Sequence, residues 1–362
     1  MKPTLALHTL GQSIWLDSIT RTLVRSGTLA RYIADLSVTG LTSNPTIFEH
    51  AIGSGKSYDA SIRVLDAAGL AGPDLFFELA LEDLTQAADL FRPIHDASDG
   101  VDGWVSLEVS PLLADNTAHT IAAANRLSRK AARANLFIKI PGTPEGNRAI
   151  EEVVFDGVPV NVTLLFSREQ YLAAAEAYMR GIERRLAAGL DPKVASVASI
   201  FVSRWDVAAS KEMPSPFHNR LGVAMATRIY KTYGDVLVSD RWKRLAAAGA
   251  QPQRLLWAST GTKDPSASDT LYVQALAAPG TIDTMPEETL LAFADHGKVE
   301  HALPMNGGYA EDVIAEFRRE GLDDVALATR LQREGIDAFA NSWHSLLGRI
   351  REKCAVPAVS RV

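Results

Sequence analysis

The stretch Asn135-Leu136-Phe137-Ile138-Lys139-Ile140-Pro141-Gly142-Thr143 decides the fold. Leu136 to Ile140 is a short run of apolar, strand-favouring residues, and Pro141-Gly142 punctuates its end. Inside it stands one lysine. An ammonium in an apolar strand loses most of its hydration, which favours the neutral amine, a nucleophile toward carbonyl carbon. A lysine near a strand end can equally snorkel to solvent. The stretch alone leaves both roles open, and its neighbours must decide.

On both sides of this stretch, similar short runs alternate with longer amphipathic stretches. The expected strands are Ser13–Ile19, Gly40–Ser43, Trp104–Val109, Leu136–Ile140, Val160–Phe166, Ala195–Val202, Leu255–Ser259 and Thr281–Met285. Helical patterns lie between them at 73–90, 116–133 and 171–188; Ser167 and Gln170 have capping-box spacing before the last, and Gly189 follows it. Strand–helix alternation indicates a parallel sheet, and eight runs predict a closed (β/α)8 TIM barrel of the α/β class. No linker or repeat divides the chain, so residues 1–362 are expected to form one domain. Additional helices are expected around 216–250 and 309–354.

Composition sets the outer limits. The 362 residues are 47% hydrophobic and 22% charged, enough apolar content for a large core. A net charge of −6 argues against nucleic-acid or anionic-membrane partners, so an anionic ligand would need a local basic pocket. Cys354 is the single cysteine, which excludes an intrachain disulfide and fits a reducing compartment. The N-terminus lacks a signal-peptide pattern and no run is long enough to span a membrane, so a cytoplasmic location is expected.

Polar residues then recur at spacing two on the expected strands, which puts them on one face. Asn161 and Thr163 form such a pair, as do Ser199 and Ser203 around Phe201; Glu108 and Asp17 interrupt their own strands near the C-terminal end. One carboxylate so placed is commonly a helix cap or a structural acceptor. Barrel enzymes, however, assemble their sites from the C-terminal ends of several strands, and the convergence of Lys139 with these groups marks a candidate site.

Two motifs resemble a known family. Gly40-Leu41-Thr42-Ser43-Asn44-Pro45-Thr46-Ile47-Phe48, with Asp17 before it, looks like the transaldolase signature, and Asn135 to Thr143 followed by Gly146 resembles that family's Schiff-base strand. Val160–Phe166 and Ala198–Asp206 resemble further family strands, so the likeness covers most of the chain in order. It implies a barrel with the Schiff-base lysine on the fourth strand, where Lys139 falls. It further implies transfer of a dihydroxyacetone unit from sedoheptulose 7-phosphate or fructose 6-phosphate to glyceraldehyde 3-phosphate or erythrose 4-phosphate, in the non-oxidative pentose phosphate pathway. No metal or organic cofactor is implied, and the expected state is a monomer or homodimer.

The resemblance also assigns expected roles. Lys139 is the nucleophile, Asp17 takes the C4 hydroxyl proton, and Glu108 with Thr163 holds a water that moves protons. Asn44 and Asn161 bind the hydroxyls of the three-carbon unit, with Thr42, Ser199 and Phe201 lining the same pocket. For the substrate phosphate the chain offers Arg204 past the sixth strand and Ser259 to Lys263 past the seventh, a usual place for phosphate in barrels. The family carries an arginine in that last loop; here Lys263 stands in its place. The bland alternatives are an ion pair of Arg204 with Asp206 or a neighbouring carboxylate, and a solvated loop charge for Lys263.

Other features carry no expected function. The eight histidines lack metal-ligand spacing, and Gly53, Gly55 and Lys56 do not make a phosphate-binding loop. Trp205, Trp242, Trp257 and Trp343 are expected in the core or at a subunit contact. The rivals are a Schiff-base aldolase that releases free dihydroxyacetone and a barrel that binds sugar phosphate without turnover. Glu108 and the chain length favour transfer over release, and the joint presence of Asp17, Glu108 and Lys139 favours turnover.

Overall fold

The computed structural model describes residues 2–355. Eight strands close into one all-parallel barrel in sequence order: β1 (Ser13–Leu16), β2 (Val38–Leu41), β3 (Trp104–Glu108), β4 (Leu136–Pro141), β5 (Val160–Leu165), β6 (Ser196–Phe201), β7 (Arg254–Ala258) and β8 (Ile282–Met285), which pairs back onto β1. All eight expected strands exist, displaced at their ends by up to three residues. The largest differences are at β1, which stops at Leu16 so that Asp17 lies just past it, and at β2, which starts two residues early.

Two apolar clusters explain the alternation along each strand. Ile14, Leu16, Ile138, Ile140, Val160, Val162, Ala198, Ile200, Leu255 and Trp257 join the large cluster between barrel wall and helices. Trp15, Phe137, Val197, Phe201, Leu256 and Ile282 join a second one that extends from the strands to the helices after β6 and near the C-terminus. Trp15 and Phe137 lie 6.2 Å apart across the barrel interior, and Trp104 stacks on Phe137 at 4.1 Å. Gly40 makes this packing possible: a Cβ there would stand 2.7 Å from the Trp15 ring. Because side chains alternate, the odd positions of β4 and β5 place Lys139, Asn161 and Thr163 on the interior face.

Helix caps then fix how each strand end meets the next helix. Asn44 caps Pro45–Gly53 by accepting from Ile47 N, Asn116 caps Thr117–Ala131, and Ser167 with Gln170 forms the anticipated capping box. At the end of β4, Thr143 caps Pro144–Phe155 through Gly146 N at 2.9 Å. Gly146 is required there, since a Cβ would lie 1.9 Å from the Pro141 carbonyl oxygen. The first turn of this helix is thus pressed onto the end of the lysine strand.

The segment 216–250 holds helices Leu221–Val238 and Asp240–Ala247 on the outside of the barrel. The C-terminal helix, Asp324–Ala355, does something composition did not foretell: it crosses the C-terminal mouth of the barrel. Asp324 anchors its start to Arg228 (3.0 Å) and Arg318 (2.6 Å). Gln332 Nε2 donates to the carbonyls of Gly142 (3.1 Å) and Leu164 (3.0 Å), just past β4 and within β5. Ser342 meets Thr46 at 2.8 Å, and Lys353 pairs with Asp59 at 2.6 Å. Among the described residues no helix is long and apolar enough to cross a membrane.

Candidate active site

Strand register places the reactive groups. Glu108 of β3 is opposite Lys139 of β4, Lys139 is opposite Asn161 of β5, and Pro141 is opposite Thr163. Lys139 Nζ lies 3.4 Å from Glu108 Oε2 and donates to the Ser43 carbonyl at 3.2 Å. Both side chains are 5% exposed or less. Neither oxygen of Glu108 is hydrogen-bonded, and the buried Thr163 hydroxyl also lacks a partner. Three buried polar atoms beside one lysine without a hydrogen-bond partner mark a site that a ligand or water would complete rather than a finished structural network.

Burial pushes the Glu108 carboxyl up to about 7, against the pull of the Lys139 and Arg204 charges. A carboxyl poised there beside an amine can give or take a proton near neutral pH. Asp17, one residue past β1, is also raised by burial, with Lys139, the Thr42 hydrogen bond and Lys263 opposing. Thr42 Oγ1 donates to Asp17 at 2.7 Å and lies 2.7 Å from Thr284 Oγ1, so β2 and β8 together aim this carboxylate.

Asn161 is held at both ends: its amide nitrogen donates to Ser106 Oγ at 3.1 Å and its oxygen accepts from Ser199 Oγ at 2.7 Å. Asn44 spends its oxygen on the helix cap, at 3.0 Å from Ile47 N. Phe201 closes the β6 side of the mouth and carries the Arg204 guanidinium 4.9 Å above its ring. The alternative Arg204–Asp206 pair does not form. Asp206 instead accepts from Leu221 N (2.8 Å), Gly222 N (3.2 Å) and Tyr272 Oη (2.9 Å), and among the described residues Arg204 has no carboxylate within ion-pair distance.

On the neighbouring strand end, Ser259 adopts a left-handed φ of 59° with its hydroxyl 2.9 Å from Ser203 Oγ. Thr260 donates to Asp283 Oδ1 at 2.8 Å, which ties this loop to β8. Lys263 is exposed and leans back over the loop, 3.6 Å from where a Cβ on Gly261 would sit. The structure therefore gathers Lys139, Glu108, Thr163, Asn161, Ser199, Asp17 and Thr42 around the mouth, with Arg204, Ser259 and Lys263 at its rim.

Several contributors escaped the sequence. Ser43 offers only a backbone carbonyl, which no side-chain pattern announces. Thr284 shares the spacing-two pattern with Ile282 and was legible in principle. Phe339 approaches Lys139 Nζ at 5.9 Å and Arg204 at 5.8 Å, yet on an amphipathic helix it looks like any core residue. The four tryptophans set aside as core are buried, and among the described residues no group of His, Cys, Asp and Glu has metal-binding geometry.

A closed parallel barrel with a buried lysine between carboxylates at its C-terminal mouth has the make-up of a barrel enzyme acting on carbonyl compounds. Comparison with known proteins narrows this. The model of the Transaldolase/Fructose-6-phosphate aldolase family matches residues 14–350. A transaldolase of Parafrankia sp. is 45% identical over 97% of this chain and 98% of its own. One of Saccharopolyspora erythraea is 45% identical over 96% of both chains, and one of Thermobifida fusca 43% identical over 98% of both. The chain belongs to the transaldolase/fructose-6-phosphate aldolase family, and it is an enzyme of the transaldolase type.

Proposed function

We propose that the protein transfers a dihydroxyacetone unit from sedoheptulose 7-phosphate or fructose 6-phosphate to glyceraldehyde 3-phosphate or erythrose 4-phosphate, through a Schiff base on Lys139. The observation that carries this reading is the buried Lys139–Glu108 contact beside an unpartnered Thr163 hydroxyl. Lys139 Nζ attacks the ketose C2. A water held by Glu108 and Thr163 relays the proton with which the carbinolamine loses hydroxide as water, leaving a protonated imine.

Asp17 then accepts the C4 hydroxyl proton as the C3–C4 bond breaks, and the electron pair moves into the imine system. The aldehyde leaves, and the three-carbon enamine stays until an acceptor aldehyde forms the new C–C bond and receives its proton from Asp17. Asn161 and the amide nitrogen of Asn44 hold the hydroxyls of the retained unit, with Thr42, Ser199 and Phe201 around them. Arg204, Ser259 and Lys263 bind the phosphate. No cofactor enters these steps. A single cysteine suits work in the reducing cytosol.

Borohydride added with fructose 6-phosphate and no acceptor tests the proposal. The expected result is a reduced three-carbon adduct on Lys139 with little free dihydroxyacetone. Abundant free dihydroxyacetone would assign the chain to the aldolase side of the family, and absence of any adduct would refute the Schiff base.

A further inference from the structure

Arg204 stands in the first turn of the short helix Ser203–Ala209 that follows β6. It is half-buried, yet none of its nitrogens meets a carboxylate within ion-pair distance among the described residues. Burial lowers its pKa, and only the more distant charges of Glu108 and Glu334 oppose that. A guanidinium taken from water without a partner is costly unless its face is covered and its edge is kept for an anion. Two rings provide the cover: Phe201 of β6 at 4.9 Å and Phe339 of the C-terminal helix at 5.8 Å.

The same helix carries Gly335, one turn before Phe339. A Cβ at this position would stand 2.9 Å from Arg204 Nη1 and 2.8 Å from Leu164 Cδ2. Glycine within a helix costs about 1 kcal/mol relative to alanine, so its position under the guanidinium needs a reason, and the close approach supplies one. The helix is fixed at this height because Gln332, three residues earlier, is bonded to the Gly142 and Leu164 carbonyls. Phe339 also faces Lys139 Nζ at 5.9 Å, so one ring spans the reactive amine and the guanidinium.

We infer that Gly335 and Phe339 are positioning residues that hold the Arg204 guanidinium toward the substrate phosphate, making the C-terminal helix part of the specificity for phosphorylated ketoses. This rests on the reading above that Arg204 meets the phosphate. Gly335 acts by leaving space and Phe339 by covering a cation, and neither touches the reacting atoms.

The experiment compares kcat/KM for fructose 6-phosphate with that for fructose as donor in the wild type, R204A, G335A, F339L and the double variant R204A/G335A, with Tm measured alongside. A charge-assisted phosphate contact predicts that R204A lowers the preference ratio about tenfold or more. G335A and F339L are expected to lower it in the same direction through a raised KM for fructose 6-phosphate, and R204A/G335A should fall no further than R204A. F339L keeps the test open should the added methyl of G335A impair folding. If R204A lowers the ratio while G335A and F339L retain it, the inference fails and the phosphate assignment stands. If R204A itself retains the ratio, both fall.

Discussion

Asn135 and Lys139 are four residues apart, one just before the lysine strand and the other in its second half, and are treated differently. Asn135, immediately before β4, donates two hydrogen bonds of 2.8 Å, to Ala88 O and Gly103 O, tying the floor of the barrel to a helix and to the start of β3. Around it Gln12 Nε2 donates to Leu276 O and Thr281 Oγ1, and Arg254 donates to Val101 O, Ser13 Oγ and Thr281 O. Some amide oxygens there go unpartnered, but every one of these side chains is anchored. At the mouth, Glu108 and Thr163 make no hydrogen bond. The floor spends its polar atoms on the backbone, while the mouth keeps them for something that comes and goes, as expected when one end of a barrel carries stability and the other chemistry.

That contrast breaks most easily at Asp17. In Asp17→Asn, turnover should fall roughly 10²–10⁴-fold, the range for loss of a general base. A borohydride-trapped adduct on Lys139 should still form but carry the uncleaved six-carbon ketose, because the proposed imine formation does not use this carboxylate. Undiminished turnover would remove Asp17 from the mechanism.

Glu108→Gln should change how the mouth responds to pH. Burial raises the folded carboxyl from 4.5 to about 7, so between those values the folded chain binds more protons than the unfolded one. Stability attributable to Glu108 therefore falls as pH rises through that window. The glutamine variant should lose this slope in urea titrations, and its imine-formation rate should drop by about 10²-fold and lose its dependence near pH 7. An unchanged pH profile would mean that Glu108 is a bystander.

The smallest effect on activity is expected at the floor. Asn135→Ala removes two bonds and leaves two buried carbonyls unmet, a loss of about 2 kcal/mol in urea unfolding, with turnover per folded molecule unchanged. A variant that kept its stability but lost activity would erase the distinction between the two ends.

The barrel was legible because strand periodicity and apolar burial are local signals. Phe137, Lys139, Asn161 and Thr163 stand at spacing two on their strands, and once the strands close into a barrel these positions can only face inward. Helix caps such as Ser167 with Gln170 were equally local. Strand ends were less sharp, as at Asp17, because a polar residue just beyond a strand keeps the same spacing as one within it.

The sequence by itself determined a βα-repeating chain with a lysine in an apolar strand and carboxylates on its neighbours. Only the tertiary structure decided which atoms remain unpartnered. The Asp206 carboxylate, two residues from Arg204, was taken by a helix N-terminus and a tyrosine distant in sequence. Tertiary structure also decided that the last helix would cross the mouth and bring Phe339 and Gly335 over Arg204. The physical reason is range: propensity and periodicity act over a few residues, whereas partner choice and desolvation depend on groups that folding brings together from well beyond that span, 15 and 66 positions for the partners of Asp206.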